Sequence, residues 1–231
     1  QLTPEVFDYI FLKGEYPQGC SVPQATLRKL RGEFEYWYPL DLRVSGKDLV
    51  PNHLSFMLYN HTAIWDADES KWPRGVRGNG HLLLNRKKMS KNTGNFLTIT
   101  DSCALFGADA SRIALAHAGD GNADANFSSD NANKAVLDLH NGYQWAKETL
   151  EAPGLLKERD MATSAIDRTF DSAMNALIAK TDDAYSRLCF REALVYCLYE
   201  LRSARDAYRL RIGAEQMNRS LIERFVEVQA L

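Results

Sequence analysis

At 231 residues, with 45% hydrophobic and 25% charged residues, the chain has the composition of an ordinary globular protein, large enough for one big domain or two smaller ones. Its apolar runs fall far short of the roughly 20 residues that span a bilayer, and it does not open on a basic region followed by an apolar one, so nothing points to a membrane or to secretion. A formal net charge of −2 argues against general affinity for polyanions, so any contact with nucleic acid or nucleotide must come from a local patch.

Residues 1–37 form a mixed entry segment in which Pro4, Pro17 and Pro23 bracket two short helical patterns, the second being PQATLRKLRGEFEYW. From Pro39 the stretch PLDLRVSG alternates and ends in glycine, as a strand does, and LVPNHLSFMLYNHTAIW is apolar on nearly every face, as a buried helix is. Pro51 falls in its first turn, where the missing N–H costs nothing. After the polar loop DADESKWPRG, GVRGNGHLLLN reads as a second strand, completing the strand, crossover helix, strand grammar of a parallel α/β sheet. Strand signals end by Thr100. TDSCALFGADASRIALAHAG reads as two helices broken at Gly107, and residues 128–151, 160–181, 183–211 and 215–231 read as long amphipathic helices with breaks at Pro153-Gly154, Thr181-Asp182 and Gly213. The expected fold is α/β plus all-α, with residues 1–120 as a parallel-sheet α/β portion and 121–231 as a helical bundle.

Cys20, Cys103, Cys189 and Cys197 form no CxxC pair and the five histidines offer no HxxxH spacing, so reduced thiols in a cytosolic protein and no metal site are expected. Two stretches could carry chemistry. In SGKDLVPNH, a glycine at a strand's C-terminal end precedes a polar helix start, the place where open α/β sheets bind ligands. Asp48 there could cap the helix, accept a bond from a ribose hydroxyl, or do both. His53 and Asn60 share one face of the same helix, where a histidine bonded to backbone is the plainer reading. RKKMSKNTGNF, residues 86–96, concentrates Arg86, Lys87, Lys88 and Lys91 beside turn-forming residues. A solvated basic loop is the plain reading. Against it, the loop follows a strand, its backbone could form an anion nest, and Lys88 and Lys91 are spaced to close on one anion. It is no P-loop, since no glycine precedes the lysines.

KMSKN resembles the KMSKS signature of the class I aminoacyl-tRNA synthetases, and GKDLVPNH resembles the GxD…H element that precedes it in that family. EYWYPLDLRVSGKDLVPNHLSFMLYNHTAIW and GNGHLLLNRKKMSKNTGNFLTIT, with LTPEVFDYIF before and FGADASRIALAHAGD and DANF after, resemble its leucine-specific branch of eukaryotic cytosolic and archaeal type over essentially the whole chain. The resemblance implies that Lys88 and Lys91, helped by Ser90, stabilise the pyrophosphate released when a leucine carboxylate attacks the α-phosphate of ATP. It also implies Gly46 and Asp48 as adenosine ligands, with the acid on the ribose, and His53 lining the leucyl-adenylate pocket. It brings His81, Leu82, Leu83 and Met89 to the nucleotide, with the backbone edge of residues 80–84 on adenine. The partners implied are L-leucine, ATP with Mg2+ and tRNA(Leu) in the cytoplasm, and membership of a multi-synthetase assembly stays open. Asn92 stands where the signature ends in serine.

On one continuous helix over 183–211, Arg187, Arg191, Arg202, Arg205 and Arg209 fall within about 60° of one another at 100° per residue, a stripe that either faces tRNA or is a solvated face paired to Glu192, Glu200 and Asp206. No HxGH occurs in the 231 residues. The resemblance therefore implies that the family's HIGH half and editing insertion lie before Gln1, with residues 1–120 as the second half of a Rossmann-like catalytic domain including the stem-contact region and 121–231 as part of an anticodon-binding-type helical bundle. Two further readings remain: a catalytically inactive synthetase-derived module that binds tRNA or protein, and a class I synthetase for another aliphatic residue or methionine.

Overall fold

The strand, crossover helix and strand expected from Pro39 onward are present. β1 (Arg43–Gly46) and β2 (Val76–Asn79) pair in parallel, in register from Arg43 opposite Val76 to Gly46 opposite Asn79, and the chain between them carries helix α3 (Ser55–Ile64). The computed structural model describes residues 2–158, 160 and 164–230; the helix start expected at 160 falls partly, and the last residue of the final helix wholly, outside the described residues. The chain forms two compact units, Gln1–Asn79 and Gly80–Leu231, and residue 120 lies inside the second.

In the first unit, helices α1 (Pro4–Phe11) and α2 (Gln24–Trp37) precede β1, and Val6, Tyr9, Ile10 and Leu27 make its buried cluster. Arg31 fastens the turn between the two helices. Its Nη2 donates to Gly14 O at 2.6 Å, its Nε donates to Tyr9 O, and its guanidinium lies 3.8 Å from the Tyr9 ring centroid. The stretch read as one buried helix is corrected twice. It is helical in three geometries, a 3-10 turn over Lys47–Leu49, a π-helical turn over Val50–Leu54, and then α3. It is also largely solvent-facing: Leu54 is buried, but Phe56, Tyr59 and Ile64 are 64%, 69% and 55% exposed. A helix apolar all round needs neighbours on every side, and within its unit α3 has a two-stranded sheet and the aromatic group of Phe34, Tyr38 and Trp65.

The second unit starts where the sequence reading put the middle of a strand. GVRGNGHLLLN forms two strands in different sheets, β2 and β3 (Leu82–Leu84), because the chain presses at Gly80 onto the segment 121–124. Gly80 N donates to Gly121 O at 3.1 Å, and a side-chain carbon at position 80 would lie 2.0 Å from Ala123 O. Only glycine allows that approach. β3 is the middle strand of three, parallel to β5 (Ala125–Phe127) and antiparallel to β4 (Lys87–Lys88). β5 corrects the expectation that strands end by Thr100; three residues are too few to show an alternation.

Helices α4 (Ile99–Phe106) and α5 (Ala108–Ala118) meet at Gly107, φ 81°, as read from the sequence. Leu84, Ala114, Phe127 and Ala132 form the core under the sheet, with Leu82, Met89, Leu97 and Phe106 packed against it. Helices α6 (Ser129–Glu151) and α7 (Ala165–Ser186) are N-capped by Ser128 and Ser164. α7 runs straight through Thr181-Asp182, where a break was expected. Thr181 bonds its hydroxyl back to Leu177 O at 2.8 Å, so its polar group is satisfied inside the helix. The reversal comes later, at Leu188, φ 58°. Then follow α8 (Phe190–Leu194), a π-helical turn over Val195–Glu200, α9 (Leu201–Ile212) and, past Gly213, α10 (Arg219–Ala230). Phe170, Met174, Leu177, Leu201, Leu221, Ile222 and Phe225 fill the bundle core. Inside it Tyr208 Oη donates to Asp167 Oδ1 at 2.6 Å and accepts from Asn218 N at 2.9 Å, three buried polar groups that satisfy one another.

Candidate functional site

The first unit presents the end of β1. Gly46 is extended and leads into the 3-10 turn, so Asp48 sits within the first helical turn and not at its cap. The Asp48 carboxylate folds back over Gly46: a side-chain carbon there would meet Asp48 Oδ1 at 2.6 Å. That explains a glycine at this position by the carboxylate it accommodates. Asn52 Nδ2 donates to Asp48 O at 3.3 Å, and His53 lies in the π-helical turn with its side chain exposed, as is Asn60. A backbone-bonded histidine, half-buried, is instead found at His61, whose Nδ1 is 2.7 Å from Met57 O. π-Helical turns cost helix regularity and recur at functional positions. Ser45, one residue before Gly46, went unnoticed in the sequence. Its hydroxyl is buried and has no hydrogen-bond partner among the described residues, and only the fold reveals that.

In the second unit the basic stretch is an ordered double turn. β3 and β4 form a hairpin whose two connecting residues, Asn85 and Arg86, have φ 51° and 66°, the left-handed pair that twist-matched two-residue hairpins require. The Asn85 side chain holds this turn onto the start of α6 by reciprocal bonds, Ser129 N to Asn85 Oδ1 at 3.0 Å and Asn85 Nδ2 to Ser129 Oγ at 3.2 Å. Lys88 ends β4, Met89 packs its thioether on the core, and Ser90 starts a second turn in which Lys91–Thr93 are 3-10 and Gly94 is left-handed at φ 70°. Arg86, Lys87, Lys88 and Lys91 are all exposed, and among the described residues none of the four is ion-paired to a carboxylate. Such a field of unpaired cations on a short ordered turn suits a polyanion such as a nucleotide triphosphate.

Two expectations for this region change. The backbone nest is partly closed, because Ser90 N donates to Asn95 O at 2.9 Å and Gly94 N to Lys91 O at 3.1 Å. The backbone over 80–84, expected to meet adenine, is largely engaged in hydrogen bonds within the protein. β4 covers β3 at Leu83 and Leu84, β5 lies on the other side, His81 N donates to Asp124 Oδ1 at 3.0 Å, and His81 O accepts from Ala125 N at 2.9 Å. Of this strand only Leu82, where β4 has diverged, keeps a backbone edge outside the ladder on the β4 side. Met89 can meet a ligand through its backbone, its side chain being held by the core.

The arginine stripe does not form as one face. Arg187 lies before α8, with Nε 2.8 Å from Asp183 Oδ2 and Nη2 2.7 Å from Glu192 Oε2. Those hydrogen bonds, to Glu192 first, raise its pKa above the usual guanidinium value. The π-helical turn then slips the phase of α9 by about one residue relative to α8. Arg202 is half-buried, its Nη2 donating to Asp138 O at 3.3 Å, and burial lowers its pKa. Arg205 is 13% exposed, pairs with Asp206 at 2.7 Å and stacks 4.2 Å from the Trp145 ring centroid. Arg191 and Arg209 have exposed side chains. Among the described residues no cluster of His, Cys, Asp and Glu could hold a metal ion, and no helix is long and apolar enough to cross a membrane.

A family model described as tRNA synthetases class I (M) matches residues 24–142, and the chain belongs to that family. Among its relatives are leucine–tRNA ligases. It is 48% identical, over its whole length, to a cytoplasmic leucine–tRNA ligase of Pongo abelii and to that of Saccharomyces cerevisiae, and 42% identical to a leucine–tRNA ligase of Aeropyrum pernix. The chain spans only 20%, 21% and 24% of those relatives' lengths. In fold it is similar to a LeuRS of Agrobacterium radiobacter K84 solved as a ternary complex with tRNA and LeuAMS, at a TM-score of 0.67 over 82% of this chain and 25% of that one, with 17% identity.

Proposed function

We propose that this chain is the part of a cytoplasmic leucine–tRNA ligase that carries its lysine turn. In the reaction a carboxylate oxygen of leucine attacks the α-phosphorus of ATP, the bond from that phosphorus to the bridging oxygen breaks, and pyrophosphate leaves with the electron pair. The 2′-hydroxyl of the terminal adenosine of tRNA(Leu) then attacks the leucyl carbonyl carbon and AMP departs. The observation that carries the reading is the turn over residues 86–94, four exposed cations with no ion-paired carboxylate among the described residues, on an ordered piece of backbone. Similarity to leucine–tRNA ligases along the whole chain supports it.

Lys88 and Lys91, with Ser90 between them, meet the charge that grows on the departing pyrophosphate. Cations fixed before the reaction stabilise the transition state more than the ground state, which is what raises the rate. Mg2+ enters with the nucleotide's phosphates and adds a further positive charge there. Gly46 and Asp48 are the proposed ribose contacts and His53 the proposed contact to the leucyl group, as the family resemblance implies. Adenine meets the backbone at Leu82 and Met89, beside His81 and Leu83. Residues 1–120 serve the nucleotide chemistry and 121–231 the tRNA, with Arg191 and Arg209 as the exposed candidates for phosphate contacts and Arg187, Arg202 and Arg205 engaged within the protein.

In the full-length protein Lys91→Ala is expected to slow leucine-dependent ATP–pyrophosphate exchange by about a hundredfold or more, the usual effect of removing one donor to developing charge. Near-normal exchange would refute the assignment.

A further inference from the structure

Little regular structure holds the lysine turn. β4 is two residues long and the 3-10 turn three, and both lysine side chains are exposed, so neither is fixed by packing. What ties the two pieces together is Asn95. Its Nδ2 donates to Lys88 O at 3.1 Å and lies 3.4 Å from Lys87 O, while its own carbonyl accepts from Ser90 N at 2.9 Å. One residue thus grips the strand that bears Lys88 and the start of the turn that bears Lys91. The left-handed Gly94, φ 70°, reverses the chain so that Asn95 comes back opposite Ser90, with which it forms an antiparallel bridge. The residue type matters: an amide side chain brings two N–H donors, enough for two carbonyls, where a serine brings one and an aspartate none.

We propose that Asn95 is a positioning residue for leucine activation, acting through Lys88 and Lys91 by fixing the backbone from which both lysines project. The inference rests on the reading of those lysines as the cations that meet pyrophosphate. A lysine is a point charge on a flexible four-carbon stem, so its average position is set by where its backbone is anchored. Small displacements of such groups have large effects on rate.

In the full-length protein Asn95→Ala is expected to lower kcat for leucine-dependent ATP–pyrophosphate exchange on the order of 10- to 100-fold, leaving KM for leucine and the unfolding temperature unchanged. Introduced into the Lys88→Ala, Lys91→Ala double variant, the same change should cost nothing further, because the groups it positions are gone. A second loss of equal size in that background would overturn the proposal. So would a normal kcat in Asn95→Ala, or a fall in kcat matched by a fall in unfolding temperature. Amide hydrogen exchange supplies a readout free of catalysis: it should accelerate over residues 87–94 in Asn95→Ala and stay unchanged in α6 and α7, and unaltered protection of the turn defeats the idea whatever the activity. Lys91→Ala separates the two claims. If it exchanges normally, the reading of the lysines fails; if it is slow while Asn95→Ala is normal, only the role of Asn95 fails.

Discussion

Two groups of cations in the second unit carry the same sign of charge in opposite surroundings. Arg86, Lys87, Lys88 and Lys91 stand exposed on turns with no ion-paired carboxylate among the described residues. Arg187, Arg202 and Arg205 are engaged, the first by Asp183 and Glu192, the second by burial and the Asp138 carbonyl, the third by Asp206 and the Trp145 ring. A density of basic residues therefore predicts anion binding only when the cations are both solvent-facing and unpaired. Guanidinium groups, planar and weakly hydrated, are readily recruited into packing, whereas ammonium groups resist it.

The comparison can be broken by substitution. The largest expected effect is in the lysine turn, where Lys88→Ala combined with Lys91→Ala should lower ATP–pyrophosphate exchange in the full-length protein by about a thousandfold or more, to a slow but measurable rate, without lowering its unfolding temperature; a loss of stability instead would put these lysines in the class of the arginines. Next comes Arg205→Ala, which removes a cation–π contact and the buried stem of the side chain. It should destabilise the bundle by about 2 kcal/mol in urea unfolding and leave the salt dependence of tRNA binding as it was. Arg191→Gln and Arg209→Gln should each weaken tRNA binding and flatten the slope of log affinity against log salt by about 1 or less; an unchanged slope would mean that these two side chains also lie off the RNA. The smallest effect is expected at Arg86, held in the left-handed region. Arg86→Gly should stabilise the hairpin by about 1 kcal/mol and leave exchange near wild type, separating charge that is positioned from charge that is merely nearby.

Much of the architecture was legible in the residues. Period and punctuation gave β1, the crossover and the helix breaks at Gly107 and Gly213, because each depends on local chemistry. The misses share a cause. β5 is three residues long, the split of GVRGNGHLLLN depends on contact between Gly80 and Ala123 more than forty residues away, and α3 looks like a core helix in sequence though most of its apolar side chains are exposed. For the site, the KMSKN resemblance pointed to the turn proposed to meet pyrophosphate, but not to the asparagines that shape it. Asn85 and Asn95 read in sequence as ordinary turn formers, and only the hydrogen bonds to Ser129 and to the Lys87 and Lys88 carbonyls give them distinct tasks.

The π-helical turn over Val195–Glu200 acts as a splice holding one surplus residue. Removing a single residue there should let α8 and α9 fuse into one uninterrupted α-helix, rotating everything downstream by about 100°. Arg202 would leave its place over Gly142, where a side-chain carbon would lie 3.2 Å from its Nη2, and Leu201 and Tyr208 would swing away from Phe170 and Leu221. The surplus residue thus serves as a registration mark, keeping two helical segments that bury different faces within a single continuous rod.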